Sequence, residues 1–295
     1  MNKLQKQLLF ATFAFGAFLL PATALAVTKT PFTSMEKTWV TDPGKWVSDG
    51  KTLFITGQVI SGTEAASDPR LSGSEIIGAD AIMDLATGAM KYWGDYHLEN
   101  ADGAWDGYWF GDTATGTAVC TALGSGRYAG LVGRFTMAGP GLWTGYIVEN
   151  GPGAVPMKLS GWRVEQFDWS VGAVVDPSNM QPTGESNVVG KVTLVNGAGV
   201  ATHTGQTTDQ AEVGILTFLS PTKVAFSLTG TMKSANGDLL YWVGTGTTDL
   251  QTGVANATVH WIGGTGRFEA ATGFFVIKDR QVQDPKSTST GTIRY

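Results

Sequence analysis

A glycine-rich segment occurs twice in this chain. Residues 124–133 read GSGRYAGLVG, and residues 264–273 read GTGRFEAATG, with glycine, arginine and an aromatic residue in the same register. Self-similarity at a fixed spacing predicts a structural unit that is used twice. In each copy the glycines lead into a strand-like run, which indicates a turn at the entry to a β-strand rather than a phosphate-binding loop before a helix.

Composition and spacing favour β-structure along the whole chain. The sequence includes 40 glycines and 11% aromatic residues, and only 15% of its residues are charged, a balance typical of strands joined by glycine turns. No stretch of a dozen residues shows a helical period bounded by capping residues. Strand-like runs follow one another between residues 51 and 149 and again between 188 and 295. We therefore expect an all-β fold of two tandem, related antiparallel β-barrels, with about eight strands each and few or no helices after the signal peptide.

The N-terminus has the features of a secretory signal peptide at residues 1–26. Lys3 and Lys6 precede an apolar run over 8–20, and Ala24 and Ala26 are the small residues that a signal peptidase requires. We expect cleavage near Ala26, a secreted or periplasmic protein, and no integral membrane span after cleavage.

The spacing of prolines and strand-like runs divides the exported part into four regions. A linker is indicated between the two sets by Pro152, Pro156, Pro177 and Pro182. The same segment carries Trp162, Phe167 and Trp169, so we expect its middle to pack on a barrel or to add a strand. The predicted regions are an irregular lead-in at 27–50, a first barrel at 51–150, a linker segment packed on the barrels at 151–185 and a second barrel at 186–295.

Charge and cysteine content restrict the partners and cofactors. Loss of Lys3 and Lys6 with the signal peptide would change the net charge from −5 to about −7, which disfavours nucleic acid and anionic membrane surfaces. The three histidines are scattered, so we predict no metal site and no cofactor. Cys120 is the only cysteine; it is either a small buried apolar residue or a reactive thiol.

The richest polar and aromatic stretch lies at residues 92–99. If it is extended, alternation places Trp93, Asp95, His97 and Glu99 on one face. Facing a barrel lumen, the last three would form an acid–base trio beside an aromatic wall, and they are the candidate catalytic residues. Facing solvent, they would be the polar side of a half-buried strand. Both interpretations stay open.

Aromatic side chains near this stretch are candidates for ligand binding. Trp105, Gly107 and Trp109 share one face of the next predicted strand, and the glycine leaves a slot between the two indoles. The slot would hold a flat apolar ligand or a sugar ring, or it would be filled by a side chain from the adjacent strand. The candidate ligand-binding residues are Trp93, Trp105, Tyr108, Trp109, Tyr241, Trp242 and His260.

The repeated arginines have two interpretations. Arg127 and Arg267 occupy the same position in the two glycine-rich segments. They are either hooks for an anion at a barrel rim or structural cations that bond turn carbonyls and stack on an aromatic ring.

The second glycine-rich segment, following Gly244-Thr245-Gly246, Asp249 and Thr252-Gly253, resembles the barrel hairpin of allene oxide cyclases and dirigent proteins. The first half also resembles uncharacterised secreted bacterial β-proteins, in residues 67–73, 96–100 and 103–105. The first resemblance implies eight-stranded, calycin-like barrels that hold a hydrophobic guest and guide its cyclisation or coupling. It covers roughly ten residues in each copy and carries no catalytic residue over to this chain.

Three functions remain. The first is an exported two-repeat barrel protein that binds a small hydrophobic or aromatic ligand, since an eight-stranded barrel has room for packed side chains or one small ligand. The second is a cyclase- or isomerase-like enzyme that acts by positioning a hydrophobic intermediate. The third is a structural or surface module with filled barrels. The presence of a cavity would separate the first two from the third.

Overall fold

The computed structural model describes residues 27–149, 151 and 153–295, so the predicted signal peptide lies outside the described residues. In this part of the chain there are 17 β-strands and three short 3-10 helices, at Pro69–Leu71, Gly126–Tyr128 and Gly266–Phe268. The all-β prediction is confirmed. None of the helices in the described residues is long and apolar enough to cross a membrane.

The strands are β1 (Thr28–Asp42), β2 (Lys45–Ser48), β3 (Thr52–Ala66), β4 (Gly73–Asp84), β5 (Met90–Asn100), β6 (Gly103–Asp112), β7 (Thr117–Gly124), β8 (Val132–Gly139), β9 (Leu142–Glu149), β10 (Val155–Val175), β11 (Pro182–Ala201), β12 (Gly205–Ser220), β13 (Lys223–Lys233), β14 (Leu239–Asp249), β15 (Val254–Gly264), β16 (Thr272–Gln281) and β17 (Lys286–Arg294).

Eight strands of the first half close an antiparallel barrel, here called the N-terminal barrel. Strand β1 pairs with both β9 and β3, and pairing continues in order from β3 to β9. Alternate side chains of each strand point into the barrel. One end of the interior is filled by fully buried side chains, which exclude water and stabilise closure. They include Leu71, Leu98, Trp105 and Ile147.

The remaining strands, here called the C-terminal set, run from β10 to β17. They pair antiparallel in chain order, and β10 also pairs with β17. Near its end β10 pairs with β2, through Ala173 with Ser48 and Val174 with Val47. Because β2 also pairs with β3, the backbone ladder passes from the N-terminal barrel into the C-terminal set.

Side chains on the outer faces of the two groups of strands pack together. Phe54, Ile82 and Trp93 of the N-terminal barrel form one apolar cluster with buried residues of the C-terminal set, among them Ile215 and Ile262. The two groups of strands therefore share an apolar interface.

The predicted irregular lead-in and the predicted linker segment both contain strands. The lead-in at 27–50 forms β1 and β2, and the linker at 151–185 contains all of β10 and the start of β11. The prolines in these segments indicated breaks between strands, but Pro31 and Pro182 lie at positions where a strand tolerates proline. Pro31 lies where β1 pairs only with β9, because pairing with β3 begins at Ser34, and Pro182 is the first residue of its strand. The alternative that the linker adds a strand is the one that the structure shows.

The two glycine-rich segments form 3-10 turns that connect β7 to β8 and β15 to β16. Gly126 and Gly266 have φ angles of 62° and 54°, in the left-handed region that favours glycine. The expectation of a turn at the entry to a strand agrees with this geometry.

The repeated arginines hold neighbouring turns. Arg127 donates a hydrogen bond to Asp102, with 2.8 Å between Nη1 and Oδ1. Arg267 donates to the backbone oxygen of His203 at 2.7 Å, and its guanidinium lies 4.6 Å from the ring centroid of Phe268. These contacts favour the structural interpretation over an anion hook.

Candidate functional site: a carboxyl-lined cavity in the N-terminal barrel

The N-terminal barrel contains a cavity of about 240 Å³ above its filled end. It is open to solvent, and its lining includes Thr38, an exposed residue of β1. The wall is largely aromatic, formed by Tyr92, Tyr96, Trp109, Phe135 and Trp143. An apolar cavity of about 150 Å³ holds a benzene molecule, so this one has room for a single-ring molecule with a short substituent.

Glu64 supplies the best-connected carboxyl group in the cavity. Its Oε2 accepts a hydrogen bond of 2.7 Å from the hydroxyl of Tyr96, and its Oε1 accepts one from the hydroxyl of Ser34. Desolvation raises the pKa of Glu64, and these hydrogen bonds oppose that shift. The group is therefore held firmly in place beside the apolar wall.

Glu75 supplies a second carboxyl group, which is buried beside the cavity rather than in its lining and has no such partners. The residue is 1% exposed, and neither carboxyl oxygen makes a hydrogen bond with any described residue. A Cβ added at Gly62, between Thr38 and Glu75 in the sheet, would lie 2.5 Å from Oε1 of Glu75. Desolvation, followed by the negative charges of Glu64 and Glu36, raises the pKa of Glu75 to about 8. At neutral pH this carboxyl group therefore holds its proton.

Glu36 also lines the cavity, and Glu75 is buried close to both Glu36 and Glu64, so three carboxyl side chains lie together on this side of the barrel. Burial raises the pKa of Glu36, although a hydrogen bond from Trp143 acts in the opposite direction. Among the described residues that line the cavity there is no lysine, arginine or histidine. The site can thus donate a proton, accept a hydrogen bond from a ligand or surround a positive charge.

Carboxyl groups inside the C-terminal set have a different environment, because arginines neutralise them. Arg163 Nε lies 3.1 Å from Asp209 Oδ2, and Arg163 Nη1 lies 2.7 Å from Glu212 Oε2. Arg280 Nη1 lies 3.2 Å from Glu165 Oε1. The main void there is only about 60 Å³. Compared with the C-terminal set, the N-terminal barrel therefore has the larger space and an acid, Glu75, with neither a hydrogen bond nor an ion pair among the described residues.

The three candidate catalytic residues from β5 lie outside the N-terminal barrel. His97 Nδ1 is 2.7 Å from Asp106 Oδ1 on β6, and His97 Nε2 is 3.6 Å from Glu99 Oε2. The hydrogen bond to Asp106 raises the pKa of His97. Asp95 shares this outer face. The lumen-facing interpretation is thus corrected, because the apolar alternates of β5 enter the barrel while the charged residues keep their hydration.

The predicted slot between Trp105 and Trp109 is filled by the protein itself. At Gly107 a Cβ would collide with the backbone oxygen of Thr121 and lie 2.6 Å from Cα of Ala122. The strand β7 therefore occupies the space, as in the packing alternative. Trp105 is fully buried at the closed end, and only Trp109 reaches the cavity, where its Nε1 donates a 3.0 Å hydrogen bond to Gly78 O.

Three other candidates lie between the two groups of strands. Trp93 is buried there, and its Nε1 donates a 2.7 Å hydrogen bond to Ser227 Oγ. Tyr108 stacks on His260 with 4.0 Å between ring centroids, and burial lowers the pKa of His260 to about 4. These two rings border an open groove of about 290 Å³.

The surroundings of the last two candidates, Tyr241 and Trp242, and of Cys120 indicate structural roles. Tyr241 packs at the edge of the interface cluster, and Trp242 lies beneath the guanidinium of Arg163 at 5.2 Å. Cys120 is a buried free thiol in the cavity wall, and burial raises its pKa well above the usual value. This thiol stays protonated at neutral pH, in keeping with the apolar interpretation.

Glu36, Glu64 and Glu75 were not predicted from the sequence. A signal exists in the alternation of β4, where Glu75 has the same phase as the apolar Ile77, Ala79 and Ala81. A carboxylate in phase with an apolar face indicates a buried acid.

Comparisons with protein-family models, curated proteins and solved structures gave no significant match.

Proposed function

We propose that this is an exported protein of two related eight-stranded barrels, and that the first barrel binds a small, mostly apolar organic molecule. The observation that supports binding most directly is the open, aromatic cavity of about 240 Å³ in the N-terminal barrel. Residues 1–26, with their signal-peptide pattern, support export.

The pairing of β10 with both β11 and β17 supports the second barrel. The strand registers beside the two repeated segments agree with each other as well. The last glycines of the repeated segments, Gly133 and Gly273, face Ile147 and Ile293 in the next strands, and these face Thr30 and Val155. A barrel of the allene oxide cyclase or dirigent type is part of this proposal, because those families hold a hydrophobic guest inside such a ring of strands.

The cavity favours a ligand with an apolar body and one polar end. Its walls offer aromatic faces, while the carboxyl groups of Glu36 and Glu64 in the lining offer hydrogen-bonding partners for a single polar group. A structural module would have both barrels filled with side chains.

A variant whose cavity is blocked by a large side chain tests this proposal. The purified protein would be equilibrated with a mixed extract of hydrophobic metabolites, and the retained compounds identified by mass spectrometry. Thr38→Trp places an indole in the cavity lining, and we expect it to lower retention at least about tenfold. Lys37→Trp, on the neighbouring exposed residue of β1, should retain the same compounds as the wild type. Equal retention by the two variants, or none by the wild type, would reject ligand binding in the cavity.

A cyclase- or isomerase-like activity is the second candidate. The observation in its favour is Glu75, a buried acid that holds a proton at neutral pH beside the apolar cavity. Turnover of a retained compound by the wild type, with loss of turnover but not of retention in Glu75→Gln, would support it.

A further inference from the structure

We propose that the ligand of the N-terminal cavity is an organic cation, a small aromatic molecule with a protonated amine that binds among Glu75, Glu64 and Glu36. This inference rests on the proposed function, because it names the chemical class of the molecule that enters that cavity.

An unpaired buried carboxyl group is the first support. Glu75 is 1% exposed, and its two oxygens make no hydrogen bond in the described part of the chain. Buried polar groups are almost always paired, since leaving one unpaired costs free energy. Two further carboxyl groups lie near enough to raise its pKa, while no basic residue lines the cavity in the described structure. The site therefore has acceptor oxygens and negative charge to offer but no cation of its own.

The second support is the matching row of residues in the C-terminal set. In the N-terminal barrel, Thr38 faces Gly62 across β1 and β3, and Gly62 faces Glu75 on β4. In the C-terminal set, Arg163 faces Gly197, and a Cβ on this glycine would collide with the carboxyl group of Asp209.

The two rows occupy corresponding positions. Thr38 lies eight residues after Thr30, which faces Ile147, and Arg163 lies eight residues after Val155, which faces Ile293. Each row thus has a glycine beside a carboxyl group, which is buried in Glu75 and partly buried in Asp209. In the C-terminal row a guanidinium pairs with that carboxyl group, whereas the N-terminal row has threonine and an open space. The geometry points to a ligand that brings the missing positive charge.

The aromatic wall is the third support. Tyr92 and Trp109 have ring centroids 5.1 Å apart and line the same cavity as Trp143. The faces of such rings attract cations. Inside the C-terminal set the chain's own cation has this environment, with Arg163 at 5.2 Å from the ring of Trp242.

Binding of a cation should release a proton. The titratable groups that face Glu75 are Glu64 on β3 and Glu36 on β1. The cavity wall contains three further titratable groups, Tyr92 and Tyr96 on β5 and Cys120 on β7. Because Glu75 is protonated below its pKa of about 8, a bound ammonium group must displace that proton. Affinity for an amine should therefore rise as the pH increases from 6 towards about 9, as long as the amine itself stays protonated.

Three probes of similar size and different charge test the proposal. Isothermal titration calorimetry of the full-length protein would compare 2-phenylethylammonium, neutral 2-phenylethanol and anionic phenylacetate at pH 8. We expect the ammonium compound to bind at least about tenfold more tightly than the alcohol, and phenylacetate to bind weakest. Calorimetry in buffers of different ionisation enthalpy should show proton release with the ammonium compound alone.

Two variants locate the effect. Glu75→Gln removes the charge at nearly constant volume, so the preference for ammonium should fall about tenfold while 2-phenylethanol binding is kept. Thr38→Arg recreates the C-terminal row and should abolish ammonium binding. Glu99→Gln, on the outer face of the barrel, is the matched control and should bind like the wild type.

Each outcome decides between the proposals. Equal or tighter binding of 2-phenylethanol or phenylacetate would overturn the cation assignment and leave the cavity proposal intact. Failure of all three probes would also overturn the cation assignment, while the proposed function would fail only if the extract experiment with the wild type retained nothing.

Discussion

Burial of the Glu75 side chain makes the stability of the folded protein depend on pH. The pKa of this carboxyl group is about 8 in the fold, against an ordinary value of 4.5. The folded state thus binds more protons than the unfolded state between these two values. The contribution of Glu75 is fully present below about pH 4.5 and is lost as the pH rises through about 8.

Glu75→Gln should remove this dependence. The amide stays neutral at every pH, so the variant should match the wild type near pH 5 and exceed its free energy of unfolding by roughly 1–3 kcal/mol near pH 8.5. Urea unfolding at a series of pH values measures the difference. Glu99→Gln, whose side chain is exposed, should keep the wild-type slope, and a parallel slope in Glu75→Gln would contradict the assignment.

At the scale of the strand, glycines set how closely neighbouring backbones approach. Gly107 on β6 lies against the backbone of β7, where a Cβ has no room. Gly139 near the end of β8 has no atom within 4 Å of an added Cβ.

Gly107→Ala should therefore destabilise the N-terminal barrel by roughly 1–3 kcal/mol, because the methyl group forces β6 and β7 apart. Gly139→Ala, the matched control, should change the free energy of unfolding by less than about 0.5 kcal/mol. Thermal unfolding followed by circular dichroism would measure both variants. Equal effects would mean that the slot beside Trp109 is open rather than filled by β7.

The strands show how far alternation carries a prediction from sequence. In β5 it separated Trp93, Asp95 and His97 correctly from Tyr96 and its neighbours, as two faces of one strand. It could not tell which face enters the barrel, because the outer face is also apolar where the C-terminal set covers Trp93. Both orientations of the candidate trio therefore stayed open in the sequence, and the structure places it on the outer face.

Long-range strand pairing explains the other differences between the predicted and the observed strands. The ends of β1 and β10 lie among prolines, and their strand character comes from partners more than a hundred residues away, as in the pairing of Thr28 with Glu149. The acids beside the cavity were missed because Glu36, Glu64 and Glu75 lie on three separate strands, which alternation within one strand cannot bring together.

For the whole molecule, the shared interface should make the N-terminal barrel and the C-terminal set unfold together. Trp93 is 1% exposed and connects them through its apolar packing and its hydrogen bond to Ser227.

Trp93→Ala should destabilise the protein by roughly 3–5 kcal/mol and separate its unfolding into two transitions, which differential scanning calorimetry would resolve. Trp39→Ala, with an indole that is 51% exposed, should keep a single transition near the wild-type temperature. A single transition in both variants would argue that the β2–β10 ladder alone couples the two groups of strands.

The contrast between Thr38 and Arg163 has a consequence for the history of the chain. Threonine and arginine codons can differ by a single base, so one point mutation suffices to convert either row into the other. If the N-terminal barrel and the C-terminal set arose by duplication, a substitution of this kind would have let one copy keep its internal ion pair while the other gained the proposed binding site. If reconstruction of the ancestral sequence places arginine at position 38, the proposed gain of binding would date to the loss of that arginine.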